Sequence, residues 1–245
     1  MNTYSLNIVI GDAFYLNIQG LQKLTLLDFP GKMACTIFTG GCNLRCPFCH
    51  NSPLVINPPE ESEYSTDDIC SFLEKRKGIL DGMAITGGEP LMQRDIKDFI
   101  IRVRDLGYAV KLDTNGTFPD RLIELIDEGL VDYVAMDVKS SPKGYPQCVG
   151  IGGYKIDNVE KSIEYLKKNK VDYEFRTTVA QGLHTFEDID EMGKWLQGSK
   201  RHFLQAFKDS GDLIGFGLEP FSKQDMLKMR NIMLKYVGEC EVRGV

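Results

Sequence analysis

The chain has 245 residues, of which 42% are hydrophobic and 26% are charged, as in an ordinary water-soluble globular protein. Its 29 lysines and arginines are outnumbered by 35 aspartates and glutamates, which gives a formal net charge of −6. This acidic balance argues against binding to nucleic acid or to an anionic membrane, since both need clustered cations.

The first twenty residues show no secretory signal, because a basic start is missing and Gly11 and Asp12 interrupt the apolar run. No stretch of the sequence approaches the length that a bilayer-spanning helix requires. We therefore expect a cytoplasmic protein, in which thiols stay reduced. The seven cysteines of such a chain are better explained as ligands and buried thiols than as a disulfide framework.

Apolar strand-like segments alternate with amphipathic helical segments along the chain. Strands are predicted at 33–40, 82–88, 108–116, 131–139, 171–179 and 201–207. Helices are predicted at 65–78, 94–107, 120–129, 158–170, 186–198 and 222–237, with a short last strand at 239–244. This alternation predicts an α/β fold with a parallel sheet and helices outside it. An open doubly wound sheet and a closed or partial barrel both fit the pattern.

No linker or low-complexity tract divides the chain. We predict a single domain over 1–245, with a core at about 30–210 and a C-terminal helix and short strand at about 220–245. The longest irregular segment, 140–154, is interpreted as a lid or a partner-binding element. The cysteines outside the motif described below are predicted to be buried apolar residues, and Cys148, within 140–154, is the one with a possible further role.

The polar residues that a core does not explain stand where the predicted strands end. In strand order they are Cys42, Cys46 and Cys49; "TGGEP" at 86–90; "DTNG" at 113–116; Asp137 and Lys139; and Arg176 and Thr178. The carboxyl ends of barrel strands meet at one mouth, which is where barrel active sites lie. The joint pattern therefore predicts an active site at that mouth.

Taken singly, most of these residues have a plainer explanation. A Gly-Gly pair is commonly a tight turn, Asp113 is typical of a turn that its own side chain closes, and Lys139 can extend to solvent. Arg176 lies inside an apolar strand and needs an anion or a carboxylate as partner. We interpret His184 and His202 as structural or surface residues rather than ligands.

The three closely spaced cysteines indicate a metal site that lacks one protein ligand. Three thiolates can hold three irons of a [4Fe–4S] cluster and leave the fourth iron open to a small molecule. Zinc is the alternative, but it would need His50 or a remote cysteine as its fourth ligand. The chain offers no second cysteine pair at the spacing usual in such zinc sites.

The stretch "CNLRCPFC" at 42–49 resembles the CxxxCxxC motif of the radical S-adenosylmethionine (SAM) enzymes, with aromatic Phe48 before the third cysteine. "TGGEP" resembles the second signature of that family. The resemblance covers nearly the whole chain and implies a radical SAM domain, a partial (β/α)6 barrel with parallel strands. Within the family, "LDTNG" and "MDVK" resemble glycyl-radical enzyme activases.

Two further stretches, 24–51 and the closing "CEVRG", resemble the activases of anaerobic ribonucleoside-triphosphate reductase more closely than those of pyruvate formate-lyase. The formate-lyase activases carry a histidine shortly after the sixth strand, where this chain has Phe207. This departure favours the reductase branch.

The resemblance implies that Cys42, Cys46 and Cys49 bind a [4Fe–4S] cluster. The implied SAM-site residues are Phe48 at the adenine; Gly87, Gly88 and Glu89 at the methionyl amine; Asp113 and Asn115; and Lys139 and Arg176 at the carboxylate and ribose. A monovalent cation is implied near Asp113, Thr114 and Asp137. No residue is expected to act as general acid or base, because the cluster and SAM carry the chemistry.

The implied partners are a glycyl-radical enzyme as protein substrate and a flavodoxin or ferredoxin as reductant. SAM cleavage would yield a 5′-deoxyadenosyl radical that takes a hydrogen atom from a backbone glycine of the partner. The alternatives are a formate-lyase-type activase and a radical SAM enzyme acting on a small molecule. A non-enzymatic iron–sulfur electron-transfer module is a more distant alternative, and it predicts no SAM binding.

Overall fold

A computed structural model describes residues 16–245 of the chain. The expectation about a secretory signal falls mostly on residues 1–15, which lie outside the described part. Within residues 16–245, no helix is both long enough and apolar enough to cross a membrane.

The strands are β1 (Ile18–Thr25), β2 (Ala34–Thr39), β3 (Gly82–Gly87), β4 (Ala109–Thr114), β5 (Tyr133–Asp137), β6 (Asp172–Gln181), β7 (Arg201–Ala206), β8 (Glu219–Pro220) and β9 (Glu239–Arg243). The helices are α1 (Ser52–Ile56), α2 (Thr66–Glu74), α3 (Ile96–Asp105), α4 (Pro119–Asp127), α5 (Tyr145–Cys148), α6 (Asp157–Leu166), α7 (Phe186–Trp195) and α8 (Lys223–Met233). A 3-10 turn covers Pro90–Met92.

Strands β2 to β7 lie side by side in chain order, and each neighbouring pair is parallel. Because this order never reverses, right-handed crossovers place all the connecting helices on one face of the sheet. The α/β prediction is confirmed, and the order selects a barrel over a doubly wound sheet. In the described part of the chain the edge strands β1 and β9 do not pair with each other, so the barrel is partial.

The elements absent from the prediction have weak local patterns. β1 is an antiparallel edge strand whose residues from Gln22 to Leu24 are exposed, so it lacks the apolar run of a central strand. β8 pairs only with the end of β6, over two residues. By contrast, α2 begins as predicted: the Ser65 hydroxyl accepts from the Asp68 amide, and the Asp68 carboxylate accepts from the Ser65 amide.

The segment 140–154 is anchored in the core rather than forming an open loop. It contains α5, and Tyr145 and Cys148 are fully buried. Tyr145 packs its ring between Tyr154 and Trp195, at centroid distances of 5.9 and 6.0 Å. The Val149 carbonyl accepts a 3.0 Å hydrogen bond from the Arg45 amide, which ties the segment to the cysteine loop.

An ion pair joins the C-terminal strand β9 to a buried residue of β6. Arg243 donates two hydrogen bonds, of 2.9 and 3.1 Å, to the carboxylate of Glu174 on β6. Glu174 is 2% exposed and also accepts from the Tyr133 hydroxyl at 2.9 Å. This bidentate contact gives the arginine of "CEVRG", Arg243, a structural role.

We predict that Arg243→Met lowers the free energy of unfolding by about 2–4 kcal/mol, because it leaves the Glu174 carboxylate buried and unpaired. Urea denaturation measures the change. Arg102→Met is the control, since its partner Asp67 is exposed, and its effect should stay within about 1 kcal/mol. Equal effects of the two variants would contradict a role for the Glu174 contact.

Candidate functional site

The three cysteines lie on one loop and face one cavity. The loop follows β2, and Cys42, Cys46 and Cys49 line a cavity of about 340 Å³ at the carboxyl ends of the parallel strands. Burial raises the pKa of all three thiols, to about 12 for Cys46, although the Lys139 ammonium opposes the rise. The thiols therefore stay protonated until a metal displaces the proton.

This donor set fits an iron–sulfur cluster better than a zinc ion. Three soft thiols on one cavity wall match a [4Fe–4S] cluster with an open iron. Within residues 16–245, no group of three or more histidine, cysteine, aspartate or glutamate side chains is gathered around a single metal position. His50, the fourth zinc ligand that the sequence offers, packs its ring edge-on against the Phe207 ring, with 6.1 Å between the two ring centroids.

The Gly-Gly pair holds the next loop directly against the cysteine loop. The Gly88 amide donates to the Thr39 carbonyl at 2.8 Å, and the Glu89 amide donates to the Gly41 carbonyl at 2.9 Å. A Cβ atom added to Gly88 would overlap the Gly41 carbonyl oxygen. Gly87 and Gly88 also line the cavity. The pair is therefore both a structural requirement and a stretch of backbone that a ligand can approach.

The Glu89 side chain accepts hydrogen bonds from two loops beside the cavity. It is completely buried and accepts hydrogen bonds from Leu91 N (3.0 Å), Thr114 Oγ1 (2.8 Å) and Asn115 N (2.7 Å). Burial raises its pKa to about 7, against the effect of these donors. Glu89 thus joins the loops after β3 and β4, directly behind the Gly87 and Gly88 backbone that lines the cavity, and its contact with a ligand amine stays a prediction.

The loop after β4 is also joined to the cysteine loop, through the predicted residue Asn115 and through Asn43 and Thr117, which were not predicted. Asn115 Nδ2 lies 3.7 Å from Cys42 Sγ and 3.1 Å from Asn43 Oδ1. Asn43 Nδ2 in turn donates to Thr117 Oγ1 at 2.9 Å. In the sequence, the one indication for Asn43 is its place within the CxxxCxxC motif. For Thr117 it is the place directly after "DTNG".

Two aspartates and three cations form a continuous ion-pair network at the barrel mouth. Asp113 contacts Lys111 and Arg176, and Asp137 contacts Arg176 and Lys139. Burial opposes ionisation of both aspartates. The Arg176 guanidinium and the neighbouring ammonium groups nevertheless lower the pKa of Asp113 below its usual range and that of Asp137 to about 2. The carboxylate partner predicted for Arg176 is thus supplied by the protein itself.

Lys111 is the member of this network that was not predicted. A lysine inside an apolar strand resembles a residue that extends to solvent, but Lys111 is 3% exposed. Its spacing of two residues from Asp113 is the available signal, because residues i and i+2 of a strand share a face.

His184 and His202, which were predicted to be structural or surface residues, are both buried. The ring of His184 lies 6.2 Å from that of Phe48, with its Nε2 2.9 Å from the Lys139 carbonyl oxygen. His202 Nε2 lies 2.9 Å from Thr177 Oγ1. His184 thereby supports the backbone of Lys139 beneath the cavity.

Of the predicted metal and cofactor residues, all except Glu89 line the cavity. Their individual contacts to a cluster or to SAM stay predictions. The convergence of five strand ends on one mouth is as the sequence pattern predicts.

The sequence model of the Radical SAM superfamily matches residues 36–196, which include the cysteine loop and the glycine pair. This chain belongs to the radical SAM superfamily. It is therefore an enzyme of that superfamily, whose members use a [4Fe–4S] cluster and SAM.

Known proteins extend this assignment to the whole chain. A protein of Methanocaldococcus jannaschii named "Putative glycyl-radical enzyme activating enzyme" is 33% identical over 235 residues, which cover 93% of this chain and 96% of that protein. A pyruvate formate-lyase-activating enzyme from Clostridium pasteurianum is 28% identical over 153 residues, or 60% of this chain and 63% of that one.

Solved structures agree on the fold. The crystal structure of Streptococcus suis SuiB bound to S-adenosylmethionine superposes with a TM-score of 0.67 at 16% identity, covering 83% of this chain and 48% of SuiB. The prediction of a radical SAM fold is thus confirmed.

We predict that Gly88→Ala in this radical SAM enzyme lowers the free energy of unfolding by about 1–3 kcal/mol, because the new methyl group forces the cysteine loop away. Iron bound per chain after reconstitution should fall as well. Gly152→Ala is the matched control, since an added Cβ there meets nothing within 4 Å. A Gly88→Ala protein with normal stability and iron content would contradict the close approach.

The low pKa of Asp137 predicts a pH dependence. Its folded-state pKa of about 2 lies below the unfolded value, so its stabilising contribution is complete above about pH 4 and is lost as the pH falls toward 2. The difference in unfolding free energy between wild type and Asp137→Asn should therefore shrink from about pH 5 to about pH 2.5. Urea titrations at each pH measure it, and a difference that grows on acidification would contradict the ion-pair network.

Proposed function

We propose that this protein is a glycyl-radical enzyme activating enzyme that uses SAM and a [4Fe–4S] cluster. The observation that carries the proposal is that the three cysteines and the glycine pair line one cavity. Support comes from the relative aligned over nearly the whole chain, which is named for this activity. When bound and reduced, the cluster would supply one electron to SAM, which would split into methionine and a 5′-deoxyadenosyl radical, and that radical would take a hydrogen atom from the target glycine.

The chain's own residues position the reactants. Cys42, Cys46 and Cys49 would hold the cluster, and the backbone of Gly87 and Gly88 would bind the methionyl amine. The backbone of Phe48 would contact the adenine. Phe48 is 4% exposed, and the Lys139 ammonium lies 5.9 Å from its ring centroid. Such contacts would shield the reacting atoms from water and fix their orientation.

The charge at the mouth favours an anionic ligand group. Three cations face two carboxylates there, which leaves one excess positive charge beside the cavity. A carboxylate such as that of SAM is therefore attracted to this side of the cavity. Lys139 and Arg176 both line it and are the cationic donors that we propose for that carboxylate.

We propose anaerobic ribonucleoside-triphosphate reductase as the activated partner. Support comes from the resemblance of residues 24–51 and of the closing "CEVRG" to activases of that enzyme. At the place where formate-lyase activases carry a histidine, Phe207 is 1% exposed and packs against His50, which lines the cavity. A flavodoxin or ferredoxin is the proposed reductant. The net charge of −6 supports a protein partner over nucleic acid or an anionic membrane.

An anaerobic assay of SAM cleavage tests whether the protein carries out the proposed radical chemistry. The protein is reconstituted with iron and sulfide, reduced with dithionite and given SAM, and 5′-deoxyadenosine is quantified. We expect product from wild type and at least a hundredfold loss in Cys46→Ala, because the cluster loses a ligand. Cys70→Ala is the control, since Cys70 is a buried residue of α2 remote from the loop, and it should retain product.

The outcomes separate the alternatives. A well-formed cluster that never cleaves SAM, alone or with the reductase or formate-lyase, would reject the activase and favour an electron-transfer module. SAM cleavage that only a small molecule stimulates would favour a radical SAM enzyme with a small substrate.

A further inference from the structure

We propose that Lys111 is a built-in replacement for the monovalent cation expected beside Asp113, so that SAM binding to this enzyme requires no sodium or potassium. This inference rests on the SAM site of the proposed function. It departs from the expectation drawn from the formate-lyase activases, in which a metal ion lies next to the corresponding aspartates and threonine.

The strand geometry places the Lys111 ammonium beneath Asp113. Both residues lie on β4, two positions apart, so their side chains leave the same face of the strand. The Lys111 ammonium contacts Asp113 Oδ1, and its side chain is 3% exposed. Asp113 lines the cavity whereas Lys111 does not. A ligand in the cavity would therefore meet the carboxylate with the ammonium behind it.

Every oxygen of the two aspartates already has a cationic partner. Lys111 contacts Asp113 Oδ1, and Arg176 Nη1 lies 3.0 Å from Asp113 Oδ2. Arg176 Nε lies 2.9 Å from Asp137 Oδ1, and Lys139 Nζ lies 2.9 Å from Asp137 Oδ2. No unpaired carboxylate oxygen is left among these residues for a metal ion.

The third expected ligand is engaged as well. The Thr114 hydroxyl donates to Oε1 of the buried Glu89 at 2.8 Å. Alkali cations need several oxygen ligands to replace their hydration shell. A cation entering here would have to displace Lys111 or Arg176, and it would add a second excess positive charge to the site. The site therefore does not fit the implied metal ion, and the ammonium group takes its place.

Cation-dependent SAM binding tests this inference without relying on turnover. The cluster-loaded enzyme is titrated anaerobically with SAM by calorimetry in potassium, sodium or tetramethylammonium chloride at equal ionic strength. For wild type we expect dissociation constants that agree within about twofold in all three salts. In Lys111→Met, binding should weaken about tenfold in tetramethylammonium and recover in potassium, which can then occupy the vacated position beside Asp113.

Two further variants serve as controls. Lys111→Arg keeps the charge and should remain independent of the cation. Lys194→Met removes an exposed lysine of α7 and should behave as wild type. If Lys111→Met fails to fold, the salt series on wild type and Lys111→Arg still decides the question.

Wild-type binding that is about tenfold tighter in potassium than in tetramethylammonium would overturn the inference. So would a Lys111→Met protein that binds SAM equally weakly in all three salts, since Lys111 would then act only on the fold. Absence of SAM binding in every salt would instead overturn the proposed function, on which this inference rests.

Discussion

Two aspartates and three cations share the mouth of the barrel, and burying any one of these charges without its partners would be strongly unfavourable. Arg176 on β6 bridges the two aspartates across neighbouring strands, because Asp113 lies on β4 and Asp137 on β5. Lys111 and Lys139 complete the pairing from the same segments as their aspartates. The register supports this, since Asp137 stands directly beside Arg176 in the parallel ladder. A slip of one residue would turn these side chains to the other face of the sheet. The charges at the mouth therefore depend on the register of the whole barrel.

The cysteine loop depends on a second constraint, the close approach of backbone from neighbouring loops. Gly88 follows β3 and Gly150 follows α5, and a Cβ at either position would overlap a carbonyl oxygen of the cysteine loop. A hydrogen bond accompanies each contact: the Glu89 amide donates to the Gly41 carbonyl, and the Arg45 amide donates to the Val149 carbonyl. The thiols are thus brought to one cavity wall before any metal arrives, which lowers the ordering cost of binding a cluster.

Most of the barrel could be predicted because its central strands are apolar runs followed by well-patterned helices. Edge strand β1 could not, since its exposed half gives no such run. The three cysteines of the motif were identifiable from their spacing alone. The ion pair of Lys111 and the hydrogen bonds of Glu89 to the loop after β4 were not. Glu89 is held by donors about 25 residues away, and Lys111 becomes buried only when Asp113 and Arg176 are brought together by folding. Such roles follow from tertiary contacts, which a local sequence pattern does not contain.

We propose that this chain places a radical on a backbone glycine of another protein. Electron paramagnetic resonance on a mixture of the reduced enzyme, SAM and anaerobic ribonucleoside-triphosphate reductase tests it most directly. We expect a doublet from the α-hydrogen of a glycyl radical, collapsing to a singlet when the reductase carries deuterated glycine. SAM cleavage without any radical on the reductase or on formate-lyase, or a radical signal that glycine deuteration leaves unchanged, would contradict the account.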